Sequence, residues 1–233
     1  GGLNTSNALS SMDVYYADKD TWERKTLPTM NQARHSFAAV AFEGKIYVFG
    51  GANRRFEPLS SAECYDSKKR TWSTLPEMKT KRMGARAVVA QNEIMVLGGQ
   101  TSHSGKSVLK TVDVYNPIKR VWTDGEPMLN ARSDFGCCID EKAIIVCGGD
   151  HGNQYLTSTE AYEFEGRHWI ELGELKTPRS AFAPFLSGRK LYALGGYAAG
   201  RLSSVEVLDI EKKKWSDVPD LPAERSGHCC ASI

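Results

Sequence analysis

The sequence predicts an all-β fold assembled from repeated antiparallel sheets of four short strands. One stretch reads KIYVFGG at 45–51 and recurs as EIMVLGG at 93–99, AIIVCGG at 143–149 and KLYALGG at 190–196. The chain also begins on two glycines, so the first glycines of the pairs stand at 1, 50, 98, 148 and 195, with spacings of 49, 48, 50 and 47 residues. A fixed period near 50 residues indicates an array of similar units.

Two further landmarks keep this period. In each repeat a tryptophan stands seven residues after a tyrosine, or after Leu208 in the last repeat. An arginine follows the tryptophan by ten residues, or by twelve in the first repeat, and where another glycine pair follows, it starts sixteen residues after that arginine. The tryptophans are Trp22, Trp72, Trp122, Trp169 and Trp215, the tyrosines Tyr15, Tyr65, Tyr115 and Tyr162, and the arginines Arg34, Arg82, Arg132, Arg179 and Arg225.

Each repeat contains four short segments that we expect to be strands. In the first complete repeat they read RHSFAAVAF, KIYVFGG, SSAECYD and RTWSTLP, rich in β-branched, aromatic or small side chains and bounded by turn residues. The tight connections at 43–44 and 66–70 favour antiparallel hairpins. Because one such sheet cannot bury both of its faces, we expect the repeats to stack around an axis.

The sequence resembles kelch-repeat proteins over nearly its whole length, through the glycine pair, the tyrosine, the tryptophan and the arginine in register. The resemblance implies a kelch-type β-propeller, in which each four-stranded sheet is a blade. Its glycines would avoid a collision with the neighbouring blade or supply a positive φ where a strand ends. Its tryptophans and tyrosines would belong to the core between blades rather than to a ligand site.

We expect one kelch domain over residues 1–233 that is a fragment of a larger propeller. Joining its two ends would give a fifth blade without a second strand, which would leave backbone groups unpaired. Propellers that resemble this one usually have six blades, so a six-bladed parent is expected. The expected divisions are 1–33 for the end of a blade, 34–81, 82–131, 132–178 and 179–224 for complete blades, and 225–233 for the first strand of a further blade.

Composition and charge exclude several classes of protein. The 30 basic and 28 acidic residues give a net charge of +2, too small for a general nucleic-acid interaction. The longest apolar runs, such as FAAVAF at 37–42, fall far short of the ~20 residues of a membrane helix, and no secretion signal is present. Two adjacent cysteine pairs and the lack of a CxxC motif favour reduced, buried cysteines in a cytoplasmic protein, without metal or cofactor. The cysteines are Cys64, Cys137, Cys138, Cys147, Cys229 and Cys230.

The loops between the second and third strands differ most between repeats. From the second glycine to the tyrosine position they span 13, 14, 16, 13 and 12 residues, whereas the connections between repeats keep a nearly constant length. Variable loops on a constant scaffold indicate a recognition face, which we expect to be basic and aromatic. Its candidate partner-binding residues include Arg54, Phe56, Tyr155 and Tyr197, from the segments 53–56, 103–106 and 151–155 and from the loop that also carries Arg201.

The periodic arginines Arg34, Arg82, Arg132, Arg179 and Arg225 lie on the same expected face and have two interpretations. They are candidates for binding an acidic peptide. They are equally candidates for the scaffold, because an acidic residue recurs two residues before each tyrosine position. Dry charged hydrogen bonds of this kind are worth ~1.5–3 kcal/mol, and wet ones little. The acidic residues are Asp13, Glu63, Asp113, Glu160 and Glu206.

Arg86 stands four residues after a periodic arginine, where the other repeats have small residues. On the innermost strand, a guanidinium there should point along the central channel or its mouth. We expect Arg86 to anchor an acidic group of a partner, with an internal ion pair as the alternative. The small residues are Ala38, Gly136, Ala183 and Cys229.

The RS-type repeat starts at 132–133, 179–180 and 225–226 resemble the Kelch-like group. In that group the propeller recognises a substrate, while separate BTB and BACK domains dimerise and recruit a cullin-3 ubiquitin ligase. The resemblance therefore implies a substrate adaptor that reads an acidic peptide, and it adds Ser133, Ser180 and Ser226 as candidate partner-binding residues. His35 and Met83 depart from this pattern in their repeats, and no residue here indicates cullin-3 itself.

Two other functions stay open. The hairpins between third and fourth strands carry lysines and arginines at 68–70, 119–120, 167 and 212–214. We expect them to form a solvated rim, with actin binding as the alternative. An enzyme, either a copper oxidase or a sugar isomerase, is a remote alternative. The five histidines share no metal-ligand spacing, and the chain has no nucleophile, phosphate-loop or paired-carboxylate motif.

Overall fold

The computed structural model describes residues 1–5, 7–24, 26–103, 107–152 and 154–230. In these ranges the regular structure is twenty β-strands. None of the described segments forms a helix with the length and apolar character needed to cross a membrane. The strands are β1 Gly2–Leu3, β2 Ala8–Leu9, β3 Val14–Tyr16, β4 Thr21–Glu23, β5 Ala38–Phe42, β6 Lys45–Phe49, β7 Ala62–Asp66, β8 Thr71–Leu75, β9 Arg86–Ala90, β10 Glu93–Leu97, β11 Val112–Asn116, β12 Val121–Gly125, β13 Gly136–Ile139, β14 Ala143–Cys147, β15 Ser158–Glu163, β16 His168–Glu174, β17 Ala183–Ser187, β18 Lys190–Tyr197, β19 Arg201–Asp209 and β20 Lys214–Val218.

Sixteen of these strands form four four-stranded sheets, which we call blades one to four. Blade one is β5–β8, blade two β9–β12, blade three β13–β16 and blade four β17–β20, and in each the strands lie side by side in chain order. The expectation of four strands per repeat is confirmed for these blades. The hairpin β3–β4 and the short pair β1–β2 precede them.

The seven-residue spacing from tyrosine to tryptophan follows from the last hairpin of each blade. Tyr65 and Trp72 are direct partners in the β7–β8 ladder, and their ring centroids lie 5.3 Å apart. Tyr162 and Trp169 repeat this pair in blade three at 5.5 Å. Each tyrosine thus packs on its tryptophan as a cross-strand pair, the contact that stabilises antiparallel sheets.

The chain divides into two compact units, each with its own core. The N-terminal unit contains Gly1–His103 and Asp113–Asp124, and the C-terminal unit contains the described residues of Ser104–Val112 and Gly125–Ile233. Blades one and two belong to the N-terminal unit, apart from single residues in β11 and β12. Blades three and four belong to the C-terminal unit.

Aromatic rings fill the core of the N-terminal unit. Tyr47 and Phe49 of blade one pack against Tyr115 of blade two, with ring centroids 6.5 and 6.3 Å from it. Trp122 of blade two adds an edge-to-face contact with Phe49 at 5.5 Å. These contacts join the two blades of this unit.

Aliphatic side chains dominate the core of the C-terminal unit. Ile145 and Cys147 of blade three pack with Leu191, Leu208 and Trp215 of blade four in one buried cluster. Three of these positions, those of Ile145, Cys147 and Leu208, carry the larger aromatic residues Tyr47, Phe49 and Tyr115 in the N-terminal unit.

The paired glycines have both properties that the sequence predicts. Gly50 has φ = +59°, and a Cβ built on it would lie 2.3 Å from the carbonyl oxygen of Arg82, at the start of the next blade. Gly148 has φ = +58°, and its Cβ would lie 2.6 Å from the carbonyl oxygen of Arg179. Any side chain would therefore both strain the backbone and collide with the adjacent blade.

The tryptophans act between neighbouring segments, with one exception. The indole N–H of Trp72 donates to the carbonyl of Pro28, 44 residues earlier, and Trp122 and Trp169 make equivalent bonds 46 and 43 residues back. Trp22 is 56% exposed and Tyr15 is 45% exposed, so the expected core position is wrong for this pair.

The six cysteines are free thiols, as expected. Cys64 and Cys147 are buried and Cys137 and Cys138 are half-buried, whereas Cys229 and Cys230 are exposed, which corrects the expectation of burial for that pair. Burial raises the pKa of Cys138 to about 12.

Residues 226–230 form no strand, and Arg225 makes a single β-bridge to Leu202. Residues 231–233 lie outside the described ranges. The expected first strand of a further blade, and the division of the chain at the arginines, therefore stay predictions.

Candidate functional site

Four of the periodic arginines lie inside the blades. The side chain of Arg132 is fully buried, and its guanidinium donates to the carbonyls of Gly148 and Ser158, to the Ser158 hydroxyl and to Glu160. Each of the four pairs with the acidic residue that the scaffold interpretation assigns to it. The pairs are Arg34–Glu63 at 2.8 Å, Arg82–Asp113 at 2.8 Å, Arg132–Glu160 at 2.5 Å and Arg179–Glu206 at 2.6 Å.

This burial corrects the expected role of four candidates. Arg34, Arg82, Arg132 and Arg179 all have zero exposure, so a partner cannot reach them without unfolding the blade. They join the glycine pair to the third strand of their own blade. Burial lowers the pKa of the Arg82 guanidinium, and the nearby Asp113 carboxylate opposes this shift.

Two serine candidates are also buried. Ser133 is 1% exposed and its hydroxyl donates to the carbonyl of Asp150, while Ser180 is 6% exposed and its hydroxyl donates to the carbonyl of Tyr197. Both residues form β-bridges to the residue that follows their glycine pair, Asp150 for Ser133 and Tyr197 for Ser180. They therefore fix that loop rather than face a partner, which corrects the role implied by the resemblance.

In the N-terminal unit, the loop after β6 presents two free arginines. Asn53 closes a tight turn, because its carbonyl accepts the N–H of Phe56 at 2.9 Å and its side-chain oxygen accepts the N–H of Arg55 and of Glu57. Arg54 and Arg55 occupy the two central positions of this turn and are exposed. Among the described residues neither has an ion-pair partner, so both guanidinium groups are available to an anion.

Phe56 follows these arginines and lies between two histidine rings. Its φ of +60° is a conformation that non-glycine residues seldom adopt. The ring of Phe56 is 5.0 Å from His35 and 4.9 Å from His103. Phe56 stays 39% exposed, whereas His35 is 5% exposed, and the Nε2 of His35 has no hydrogen-bond partner among the described residues. The loop therefore offers a basic tip beside a partly open aromatic patch.

Arg86 opens β9 in the same unit and is half-buried. Its guanidinium donates to the carbonyl of Ala85 at 3.3 Å. Its expected role as the anchor of an acidic group stays a prediction.

In the C-terminal unit, the equivalent loops present two tyrosines. Tyr155 and Tyr197 meet edge to face with ring centroids 6.0 Å apart, and Tyr197 is 41% exposed. Burial raises the pKa of Tyr155, and the negative charge of Asp150 adds to the shift. The imidazole Nδ1 of His151 lies 2.8 Å from the carbonyl of Ala131, so it carries the proton and donates it.

The remaining candidates have mixed surroundings. Arg201 and Arg225 are exposed, and Ser226 is half-buried. In the four blades the acidic partner comes 27 to 31 residues after the arginine, as in Arg179–Glu206 and Arg82–Asp113. The expected loop positions 104–106 and Asn153 lie outside the described residues.

The hairpins between third and fourth strands carry the basic rim that the sequence indicates. Lys68 and Lys69 are exposed, while Arg70 adopts a left-handed φ of +55° and pairs with Glu23 at 2.8 Å. Arg120, at the same position in blade two, has φ = +56° and donates to the carbonyl of Thr74. In this rim Arg70 and Arg120 therefore bind neighbouring hairpins, whereas Lys68 and Lys69 extend into solvent. Across the described ranges, no group of three or more histidine, cysteine or acidic side chains is arranged to hold a metal ion.

Comparison with known protein families identifies the repeats. A family model described as the KLHDC2/KLHL20/DRC7 Kelch-repeats domain matches residues 1–172, and a Kelch motif matches residues 178–222. The chain belongs to the kelch-repeat family. With the four observed blades, this match confirms the predicted fold class, a kelch-type β-propeller of four-stranded antiparallel blades.

Individual kelch relatives are moderately similar to this chain. Kelch-like protein 23 of Pongo abelii is 29% identical over 243 residues, covering 100% of this chain and 41% of the relative. Kelch-like protein 40 of Xenopus tropicalis is 30% identical, covering 94% and 38%, and beta-scruin of Limulus polyphemus is 28% identical, covering 94% and 25%. The chain thus spans about two fifths of the length of its Kelch-like relatives. These matches indicate a kelch propeller of the protein-interaction kind.

Sequence reasoning found the loops of this kelch domain but missed their contacts. The histidine, phenylalanine and histidine cluster joins residues 35 and 56 of one repeat to residue 103 of the next, and the three share no motif. The available signal was that His35 stands where three other repeats have serine, at Ser133, Ser180 and Ser226.

Proposed function

We propose that this kelch domain is the substrate-recognition propeller of a cullin-3 ubiquitin ligase adaptor and that it reads an acidic peptide motif. The observation that carries the proposal is the turn at Asn53–Phe56, where Arg54 and Arg55 are exposed beside the partly open ring of Phe56 and have no ion-pair partner among the described residues. Two guanidinium groups without internal partners bind carboxylates well, and the neighbouring ring can bury an apolar residue of the same peptide.

The site therefore has two parts with different chemistry. Arg54 and Arg55 would supply charge, and Phe56 with His103 would supply an apolar contact. Arg86 is a further proposed partner contact in the N-terminal unit, and Tyr155, Tyr197 and Arg225 are proposed contacts in the C-terminal unit. The recruitment of cullin-3, an acidic partner and a cytoplasmic location are proposals that rest on the resemblance to the Kelch-like group.

A displayed library of random peptides tests the recognition step. We expect selected peptides to be enriched in aspartate and glutamate and to lose at least about tenfold in affinity for the double variant Arg54→Ala with Arg55→Ala, because two charge-assisted contacts are removed. The matched control is Lys68→Ala with Lys69→Ala, which removes the same charge from the hairpin rim. Selected peptides that lack acidic residues, or that bind both variants equally, would contradict the proposal.

The adaptor step needs a separate test in the natural full-length protein. We expect it to co-precipitate cullin-3 from cells and to support ubiquitination of a protein that carries a selected acidic motif. Loss of ubiquitination with Arg54→Ala and Arg55→Ala, while cullin-3 still co-precipitates, would separate substrate recognition from ligase recruitment. If the full-length protein does not bind cullin-3, the adaptor role is wrong, and only the recognition of an acidic peptide remains.

Actin binding is the second candidate function, supported by the free lysines of the hairpin rim, such as Lys68 and Lys69. It predicts sedimentation with actin filaments that falls as salt is raised, because exposed charges are screened. In this assay Lys68→Ala with Lys69→Ala would reduce binding and the Arg54 and Arg55 variant would not. Catalysis by a copper oxidase or sugar isomerase is the remote alternative, and we propose that the domain is not an enzyme.

A further inference from the structure

An open groove lies in the C-terminal unit between blades three and four, at the end opposite the loops that follow the glycine pairs. Its volume is about 750 Å³, within the range of ligand pockets in proteins. Ile145, Ala161 and Leu172 of blade three and Ile210 of blade four form an aliphatic floor. The rim comes from the short hairpins at 140–142, 163–166, 189 and 213.

The groove lies where ring volume is missing at two positions of neighbouring blades, one in its floor and one in the buried core cluster beside it. Ile145 stands three residues before its glycine pair, as Tyr47 does in blade one, and Leu208 stands seven residues before its tryptophan, as Tyr115 does in blade two. In the N-terminal unit Tyr47 and Tyr115 are 4% and 0% exposed, and their ring centroids are 6.5 Å apart. The C-terminal unit has two aliphatic residues in place of these two rings.

A third substitution removes another ring and adds a charge. Asp140 stands eight residues before its glycine pair, where blade one has Phe42. The Asp140 carboxylate accepts the N–H of Lys142 and of Ala143, each at 2.8 Å, and it pairs with Arg189 of blade four at 2.8 Å. An ion pair therefore bridges the two blades at the end of the groove, where blade one of the other unit has the half-buried ring of Phe42.

The charges that remain on the rim are mainly acidic. Arg189 is neutralised by Asp140 and also lies 3.7 Å from Glu211. Within the described ranges, neither the carboxylates of Glu141 and Glu165 nor the ammonium groups of Lys142 and Lys213 take part in an ion pair, and Glu163 lies 3.9 Å from His168. Within the lining of the groove, three carboxylates thus face two ammonium groups, while Arg167 and Lys214 of the basic hairpin rim lie outside this lining. The groove itself therefore favours a ligand with a positive charge near its apolar part.

We propose that this groove binds an aromatic side chain of a protein partner, flanked in the partner's sequence by basic residues. The ring would occupy the space that the chain fills with its own tyrosines in the N-terminal unit. A phenol or indole ring buries ~150–250 Å² and is the commonest anchor of protein interfaces. The basic neighbours would pair with Glu141, Glu163 and Glu165. The proposal goes beyond acidic-peptide recognition and uses a different end of the blades.

Four blocked peptides test this chemistry, with sequences Lys-Tyr-Lys, Lys-Ala-Lys, Glu-Tyr-Glu and Glu-Ala-Glu between alanines. Binding is measured from amide chemical-shift changes in ¹H–¹⁵N spectra up to millimolar peptide. We expect Lys-Tyr-Lys to bind most tightly and to shift the amides of Ile145, Ala161 and Ile210. Replacement of its tyrosine should weaken binding at least about tenfold, as for a central anchor residue. No shifts at these amides, or equal binding of Lys-Tyr-Lys and Glu-Tyr-Glu, would overturn the proposal.

Two variants supply the missing rings from the protein's own chain instead of from a peptide. Ile145→Tyr and Leu208→Tyr introduce the residues that the chain uses at the same positions elsewhere, and each should abolish the shifts caused by Lys-Tyr-Lys. The control is Val121→Tyr, which adds the same ring at a position that is 46% exposed in the N-terminal unit. Thermal unfolding shows whether each variant is folded, and a folded Ile145→Tyr protein that still binds the peptide would refute the site.

Glu165→Gln keeps the fold intact, because Glu165 is an exposed hairpin residue, and it tests the charge alone. We expect it to reduce the preference for Lys-Tyr-Lys over Glu-Tyr-Glu without changing the tyrosine dependence. An unchanged preference would refute the charge assignment. The Arg54→Ala and Arg55→Ala variant should bind Lys-Tyr-Lys normally, so failure of acidic-peptide recognition and failure of this groove are distinguishable.

Discussion

Two ion pairs in the C-terminal unit have the same length and opposite surroundings. Arg132 and Glu160 approach to 2.5 Å with both side chains fully buried. Lys176 and Asp217 also approach to 2.5 Å, but their side chains are 51% and 68% exposed. The distance between the charged atoms therefore does not tell which pair contributes more to stability. Burial does tell, because a buried charge that loses its partner stays out of contact with water, whereas an exposed charge is hydrated.

The buried pair is also the centre of a larger network. Glu160 accepts the N–H groups of Leu129 and Asn130 in the preceding turn, at 2.8 and 2.9 Å, in addition to the guanidinium of Arg132. Glu206 binds the turn at Lys176 and Thr177 in the same way. The carboxylate thus joins the arginine of its own blade to the backbone of the segment before that arginine. Removal of either partner affects more than one contact.

The largest expected effect is from Arg132→Leu. This change leaves Glu160 buried without its counter-charge, which typically costs about 3–5 kcal/mol of unfolding free energy. Urea unfolding followed by circular dichroism measures the loss as a lower midpoint at an unchanged slope. The double variant Arg132→Leu with Glu160→Gln should recover part of it, because the amide keeps an acceptor without the charge. A loss below 1 kcal/mol, about that of an exposed pair, would show that the buried charge tolerates isolation.

A smaller effect is expected from Glu160→Asp, which shortens the carboxylate by one methylene. Blade two provides the natural comparison, because its acid is Asp113, whose Oδ2 has no partner among the described residues. We expect Glu160→Asp to cost about 1–3 kcal/mol, since buried N–H groups of the preceding turn would lose their acceptor. Faster hydrogen exchange of the Leu129 and Asn130 amides would locate the loss. Unchanged exchange there would mean that the shorter carboxylate still reaches the turn.

The arginine–carboxylate pairs could be proposed from the sequence, but whether a partner can reach them could not. The arginine and the acid recur with the repeat, so a scaffold pair was one of two interpretations that the sequence left open. The repeat spacing does not show whether a guanidinium is buried within its blade or exposed to solvent, because the repeat length and the strand register are the same in both arrangements. The strands and hairpins were predictable because their signals are local. The groove between Ile145 and Ile210 was not predictable, since it depends on which side chains of two neighbouring blades come together.

Asp113 also makes the buried pair sensitive to pH. Burial raises the pKa of Asp113 above its ordinary value of 3.8, although Arg82 opposes the shift. The folded protein then binds the proton more tightly than the unfolded chain does, so the contribution of Asp113 to stability decreases as pH rises from its ordinary pKa through the folded one. We expect the unfolding free energy of the natural chain minus that of Asp113→Asn to decrease over this interval. A difference that increases with pH would show that the attraction to Arg82 outweighs desolvation.

The smallest expected effect is from Lys176→Ala, which breaks the exposed pair with Asp217. The partner left behind stays hydrated, so the unfolding free energy should change by only about 0.2–1 kcal/mol. The backbone N–H of Lys176 still donates to Glu206, so the alanine variant keeps the buried network intact. The residual effect should vanish in high salt, whereas the loss from Arg132→Leu should persist because buried charges are screened little. A Lys176→Ala loss that is large and independent of salt would mean that the side chain contributes through packing of its methylene groups rather than through its charge.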